Sequence, residues 1–119
     1  MVHSHIFESV GPLRFLTFIQ TAVYVAAATK LLDDEGQWLV EKLILSNPKI
    51  GAMEFGVRKV RVGLPGSGKR GGARVIYHYV ERTGRVYLLD IYSKSDRPAL
   101  SRAEKKMIRA LSRKLEEEP

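Results

Sequence analysis

Alternation of apolar and polar residues is clearest between residues 57 and 92. In Val57-Arg58-Lys59-Val60-Arg61-Val62, Val60 and Val62 point one way and Lys59 and Arg61 the other, which predicts a strand. Arg74 to Val80 reads as a second strand and Arg85 to Tyr92 as a third, with a hairpin turn at Thr83-Gly84 between them. On the third, Asp90, Tyr92 and Lys94 share a parity opposite to Tyr87, Leu89 and Ile91. The expected sheet therefore has one apolar side for helices and one side of polar, ionisable groups.

Upstream, Arg14 to Gln20 is rich in β-formers and too short for a helix, so it is read as the first strand. Alanines then take over, and a helix is expected from Thr21 or Ala22 to about Leu32. Asp33 or Asp34 caps a second helix, Glu35 to Leu45, which Asn47-Pro48 stops. Its Trp38 is expected in the core. Downstream, Ser101-Arg102-Ala103-Glu104 is a capping box opening a last helix with Met107, Ile108, Leu111 and Leu115 as its apolar stripe. The order β-α-α-β-β-β-α predicts a single α+β domain over residues 14–119. It comprises an antiparallel sheet of about four strands, an N-terminal αα-hairpin on one face and a C-terminal helix. Residues 1–13 have weak periodicity, broken by Gly11-Pro12, and read as a weakly ordered N-terminal extension.

Phe15 to Thr29 is uncharged, yet it is shorter than a membrane span, is interrupted by Gln20 and two threonines, and follows no positive leader. A folded segment is expected there, with no membrane partner. The chain has 119 residues and no cysteine, which excludes disulfides, thiolate metal sites and a cysteine nucleophile, and suits a cytoplasmic protein. His3 and His5 alone make a poor metal site, and neither metal nor cofactor is expected.

Charge changes the picture more. The net +7 divides as −2 over residues 1–55, +6 over 56–79 and +3 over 80–119. Arg58, Lys59, Arg61, Lys69, Arg70 and Arg74 lie in the middle stretch without a single carboxylate, a pattern that fits a polyanionic partner. Gly63-Leu64-Pro65-Gly66-Ser67-Gly68-Lys69 has the spacing of a phosphate-binding loop. Arg70 stands where the Mg²⁺-binding hydroxyl belongs, and a strand follows instead of a helix, so nucleotide hydrolysis is rejected.

Asn47-Pro48-Lys49-Ile50-Gly51, Val57 to Val62, Gly68-Lys69-Arg70-Gly71-Gly72-Ala73-Arg74-Val75-Ile76-Tyr77 and Val86 to Lys94 together resemble RelE/HigB-type toxins of type II toxin–antitoxin modules. The resemblance runs in order from about Leu16 to Leu115. It implies a ribosome-dependent, metal-independent mRNA endonuclease in which the ribose 2′-hydroxyl attacks the adjacent phosphorus. That reaction needs a base, positive charge at the phosphorane and an acid for the leaving oxygen. The implied catalytic residues are Lys59, Arg61, Arg74, Tyr92 and Lys94, with Arg58, Lys69, Arg70, Lys105, Lys106 and Arg109 on RNA or ribosome. The segment Ser95 to Ser101 lacks the tyrosine that some members carry there, so the general base stays open; His78 is read as an edge residue away from the site. The resemblance also implies a cognate antitoxin, of a DNA-binding, helix-turn-helix type, and a ribosome with mRNA as partners. A same-fold gyrase inhibitor of the ParE type and a non-catalytic RNA-binding module are the alternatives.

Overall fold

The computed structural model describes residues 3–8 (as backbone), 15–64, 72–97 and 99–119. Its elements are β1 His3–Glu8, β2 Phe15–Gln20, α1 Ala22–Leu31, α2 Asp34–Ser46, β3 Ala52–Glu54, β4 Val57–Val62, β5 Ala73–Val80, β6 Arg85–Tyr92 and α3 Arg102–Glu116. The fold is the expected α+β domain with an αα-hairpin and a C-terminal helix. Within the segment read as an extension, His3–Glu8 pairs antiparallel with β2.

The sheet departs from expectation in composition and direction. It has six strands in the order β1-β2-β6-β5-β4-β3, and β2 runs parallel to β6, so it is mixed where an antiparallel sheet of about four strands was expected. The αα-hairpin is what allows this. A parallel partner requires a long connection, and α1 with α2 carries the chain away from β2 before the meander of β3 to β6 returns to it. The short strand β3 joins β4 through a two-residue turn, Phe55-Gly56, in which both residues take positive φ (37° and 86°). That conformation suits glycine and strains Phe55, whose ring packs against the core beneath α3.

The expected parity also fails on β6. The β5–β6 register passes from Ile76↔Asp90 to Tyr77↔Leu88, leaving Leu89 as the extra residue of a bulge. Residues on either side of it are thereby rephased. Ile91, Leu88 and Val86 join Leu16, Phe18, Val40 and Ile44 beneath the αα-hairpin, whereas Tyr87, Leu89 and Tyr92 join Val57, Ile76, Leu100 and Leu115 beneath α3. Both sheet faces therefore carry an apolar cluster, instead of one apolar and one polar face. Fully burying a side chain such as Leu115 contributes on the order of 2 kcal/mol, so α3 is anchored mainly by Leu115 and Leu100, with Ile108 partly buried.

Helix α1 is capped by the Thr21 hydroxyl and α2 by Asp33. The inward stripe of α2 is Val40, Glu41, Ile44 and Leu45, which leaves Trp38 on the outer side, 46% exposed, with Lys42 Nζ 4.6 Å from its ring centre. The expectation of a core tryptophan is thus overturned. Glu41 takes the inward place because the Tyr24 hydroxyl donates to Gln37 Oε1 (2.7 Å) and the Gln37 amide donates to Glu41, a buried network in which polar groups find partners. Burial pushes the Tyr24 phenol well above its ordinary range, with the charge of Glu41 adding to the rise. The uncharged run from Phe15 to Thr29 is accounted for by β2 and α1, and no helix among the described residues is long and apolar enough to cross a membrane.

Candidate functional site

Strand pairing brings three of the expected residues into one row. Arg61 of β4 stands opposite Arg74 of β5, and Arg74 stands opposite Tyr92 of β6. All three lie on the α3 side of the sheet, the side of Val57 and Ile76. Directly paired residues have Cβ atoms about 5 Å apart, and like charges in such a pair repel. Two arginines opposed in this way favour an anion between them. A guanidinium offers a planar fork of donors that matches two oxygens of a phosphate. Arg61 is exposed and Arg74 half-buried, whereas Tyr92 retains only 4% exposure.

Lys59 lies one row away on the same side, opposite Ile76. Its ammonium sits 2.9 Å from Glu54 Oε2. The carboxylate lies just outside the acid-free stretch seen in the sequence, and the β3–β4 hairpin folds it back onto Lys59. This cation is therefore partly neutralised, and its Coulomb field at the arginine row is weaker than its formal charge implies.

The residue that sequence reasoning missed is Arg97. Its guanidinium carbon lies 4.7 Å from the centre of the Tyr92 ring, a cation–π contact. One nitrogen donates to Asp90 Oδ2 at 2.8 Å and another to Glu104 Oε2, so Arg97 ties β6, the turn after it and the first turn of α3 together. Asp90 is buried, and its other oxygen accepts the Ile91 amide at 2.8 Å. With two carboxylates on it, Arg97 acts as a clamp on the Tyr92 ring more than as a source of positive charge. The available signal was the capping box itself. Glu104 Oε1 accepts the Ser101 amide at 2.9 Å, which leaves Oε2 aimed at a cation. The Ser101 amide bond, more than the Arg97 charge, holds the Glu104 carboxyl below its ordinary value.

The other expected residues are dispersed. Strand β6 ends at Tyr92, and Lys94 lies exposed in a turn closed by Arg97 N–H to Ser93 O (3.0 Å), not on the continued face of the strand. Arg58 points to the αα-hairpin side and donates to the carbonyls of Lys49 (3.0 Å) and Gly51 (2.8 Å), bracing the loop before β3. Lys105, Lys106 and Arg109 are exposed on α3, with Lys105 Nζ 5.8 Å from the Phe55 ring centre. His78 meets Glu116 Oε2 at 2.8 Å near the end of α3, away from the arginine row. Lys69 and Arg70 lie outside the described residues. Among the described residues no three His, Asp or Glu side chains come together in a way that could hold a metal ion.

The described residues thus form a small α+β domain with a paired-arginine row beside a clamped tyrosine. The chain matches the family model described as RelE toxin of the RelE/RelB toxin–antitoxin system over residues 44–118. The match covers more than half of the sequence, and the chain belongs to this family. It is therefore a toxin of a toxin–antitoxin system, and the family implies an antitoxin as partner.

Proposed function

We propose that the chain is a ribosome-dependent endoribonuclease that cuts mRNA and so stops translation in the cytoplasm. The observation that carries this reading is the Arg61–Arg74–Tyr92 row, in which strand pairing sets Arg61 opposite Arg74 and Arg74 opposite Tyr92 on one side of the sheet. In the proposed reaction the 2′-oxygen loses its proton to a base and forms a bond to phosphorus. The P–O5′ bond breaks, the departing oxygen takes a proton, and a 2′,3′-cyclic phosphate and a 5′-hydroxyl result. Arg61 and Arg74 hold the scissile phosphate and stabilise the phosphorane, which carries more negative charge than the ground state. Tyr92 takes part in proton transfer, its ring fixed by Arg97. Lys59 supports the same charge within the limit that Glu54 sets, and Lys94 reaches toward the substrate from the adjoining turn. Arg58, Lys69, Arg70, Lys105, Lys106 and Arg109 are the proposed contacts to RNA or ribosome. Among the described ones, Lys105, Lys106 and Arg109 are exposed on α3 and Arg58 is partly buried. The proposed antitoxin carries a helix-turn-helix DNA-binding domain.

The test is a translation extract programmed with a defined mRNA, in which new 5′ ends are mapped. Cleavage is expected only on translating ribosomes, with a 5′-hydroxyl product, and a single 2′-deoxynucleotide at the cut position should block it. Arg74→Ala should lower the rate by 10²-fold or more, about 2.7 kcal/mol of transition-state stabilisation. Intact mRNA together with inhibited DNA supercoiling would instead establish a gyrase poison, and an Arg74→Ala variant that cuts like the parent would overturn the assignment.

A further inference from the structure

The β3–β4 hairpin carries two features that folding alone does not call for. Glu54 Oε2 is sealed from solvent and accepts no hydrogen bond among the described residues; the Lys59 ammonium stands 2.9 Å away, an ion contact without hydrogen-bond alignment. A buried polar atom left in this way is uncommon and marks a group with another use. The next residue, Phe55, holds φ at 37°, in the left-handed region that strains a side chain with a Cβ.

Most lysine–glutamate pairs at a protein surface are loose and contribute little. This one is imposed by the fold. Glu54 pairs with Val57 and Ala52 with Lys59, so Glu54 and Lys59 are diagonal neighbours on one side of the hairpin, a relation that long side chains close. The turn between them is fastened to the last helix. The Phe55 ring packs in the cluster beneath α3 with Lys105 Nζ 5.8 Å from its centre, and a Cβ on Gly56 would lie 3.3 Å from Ser112 Oγ. What the carboxylate covers is the cation next to the arginine row. Lys59 lies two residues from Arg61 on the same side of β4, about 7 Å along the strand, and a lysine side chain spans that distance. A phosphate held by Arg61 and Arg74 would thus come within its reach.

We propose that Glu54 is a specificity-determining residue: a built-in counter-ion that occupies Lys59 and withholds it from loose RNA, releasing it to a phosphate fixed on the arginine row. The proposal rests on the reading of that row as an RNA site. A carboxylate and a phosphodiester each carry one negative charge, so they compete for Lys59 on near-equal terms, and an RNA strand that merely drifts by gains little from this cation. As the 2′-oxygen bonds to phosphorus, the phosphorane carries one charge more than Glu54 and draws the ammonium over. Lys59 is then bound more strongly to the transition state than to the ground state, which is the difference that accelerates a reaction.

The test is the salt dependence of binding to a short single-stranded 2′-O-methyl RNA, which cannot be cut, followed by fluorescence anisotropy. Glu54→Gln keeps the size of the side chain and removes its charge. It should bind roughly threefold tighter at low salt, with the slope of log K against log[salt] steeper by about 0.7, the mark of one more phosphate contact on a single strand. Adding Lys59→Gln should cancel both gains. In the translation extract the effect of Glu54→Gln should fall on KM more than on kcat. Equal slopes for parent and Glu54→Gln overturn the proposal, as does a gain that survives Lys59→Gln. So does loss of cleavage in Glu54→Gln with RNA binding unaltered, which would make Glu54 the proton acceptor itself. Thermal melts verify that each variant is folded. An Arg74→Ala variant that binds this RNA like the parent removes the arginine row and this proposal with it, whereas equal slopes beside a weakened Arg74→Ala remove this proposal alone.

Discussion

Replacing Tyr77 by phenylalanine removes one oxygen from the middle of the fold. The Tyr77 side chain is fully buried. Its hydroxyl donates to Pro48 O at 2.8 Å and accepts the Gly51 amide at 3.0 Å, residues 29 and 26 positions away in sequence. Its ring lies where a Cβ on Gly51 would come within 3.1 Å, so the loop is packed against the ring with no room for water to replace the hydroxyl. The substitution leaves a carbonyl and an amide buried without their partner, at about 1–3 kcal/mol each. The Arg58 bonds to Lys49 O and Gly51 O still hold the loop and allow some relaxation. The expected loss is therefore about 2–4 kcal/mol in total, a large share of the stability of a domain this size. Urea unfolding should show a lower midpoint at unchanged slope, and Tm should fall by roughly 8–15 °C. Alkaline pH provides a second arm. Burial raises the Tyr77 phenol above its ordinary value of 10.0, with the Gly51 bond and Arg58 opposing the rise. The stability this group contributes is full below pH 10 and is lost as pH climbs through the raised folded value. Phenylalanine has no proton to lose, so the gap between parent and variant should narrow above pH 10. A loss under about 0.5 kcal/mol, below even one unsatisfied buried group, or a gap that widens in alkali, would refute the argument.

Two further outcomes follow from loop and cap geometry. Gly84 has φ of +70°, and a Cβ there would lie 2.9 Å from Phe15 O, so Gly84→Ala should cost about 1–3 kcal/mol in urea unfolding, with faster exchange of the Thr17 amide that Gly84 O accepts at 2.9 Å. Glu104, held below its ordinary 4.5 first by the Ser101 amide and then by the Ser101 hydroxyl and Arg97 against a desolvation cost, contributes stability that is present above that value and lost as pH falls through the lowered one. Helical circular dichroism between pH 6 and 3 should thus show a loosening in the parent that is reduced in Glu104→Gln.

What could be seen in the sequence was local. The alternation in β4, the capping box of α3, the Asp33 cap and the breaker at Asn47-Pro48 each depend on residues a few positions apart, and the structure has them where expected. The Arg61–Arg74–Tyr92 row was also within reach, because it lies on the side of the bulge where simple parity still holds. Beyond the bulge the same parity put Tyr87 and Leu89 on the wrong face. Nothing in Leu88-Leu89-Asp90 marks an extra residue, since any of the three satisfies a buried strand. Trp38 was misplaced for a related reason: the Tyr24–Gln37–Glu41 bonds that bring an acid inward span two helices. Arg97 and the Glu54–Lys59 pair escaped notice because a charged side chain acquires its role from what the fold sets beside it.

The parallel pairing of β2 with β6 bears on how the molecule is made. The Thr21 hydroxyl donates to carbonyls of Leu88 and Leu89, 67 and 68 residues further on, and β2 lies outside the stretch matched by the family model. During synthesis the first strand and the αα-hairpin wait for their partner until β6 has emerged. Contacts this distant in sequence close late. Tyr92 is the final residue of β6, and Arg97 and Glu104 come later still. The topology thus makes the row around Tyr92 a late part of the fold to assemble, after the strands that precede it in the chain.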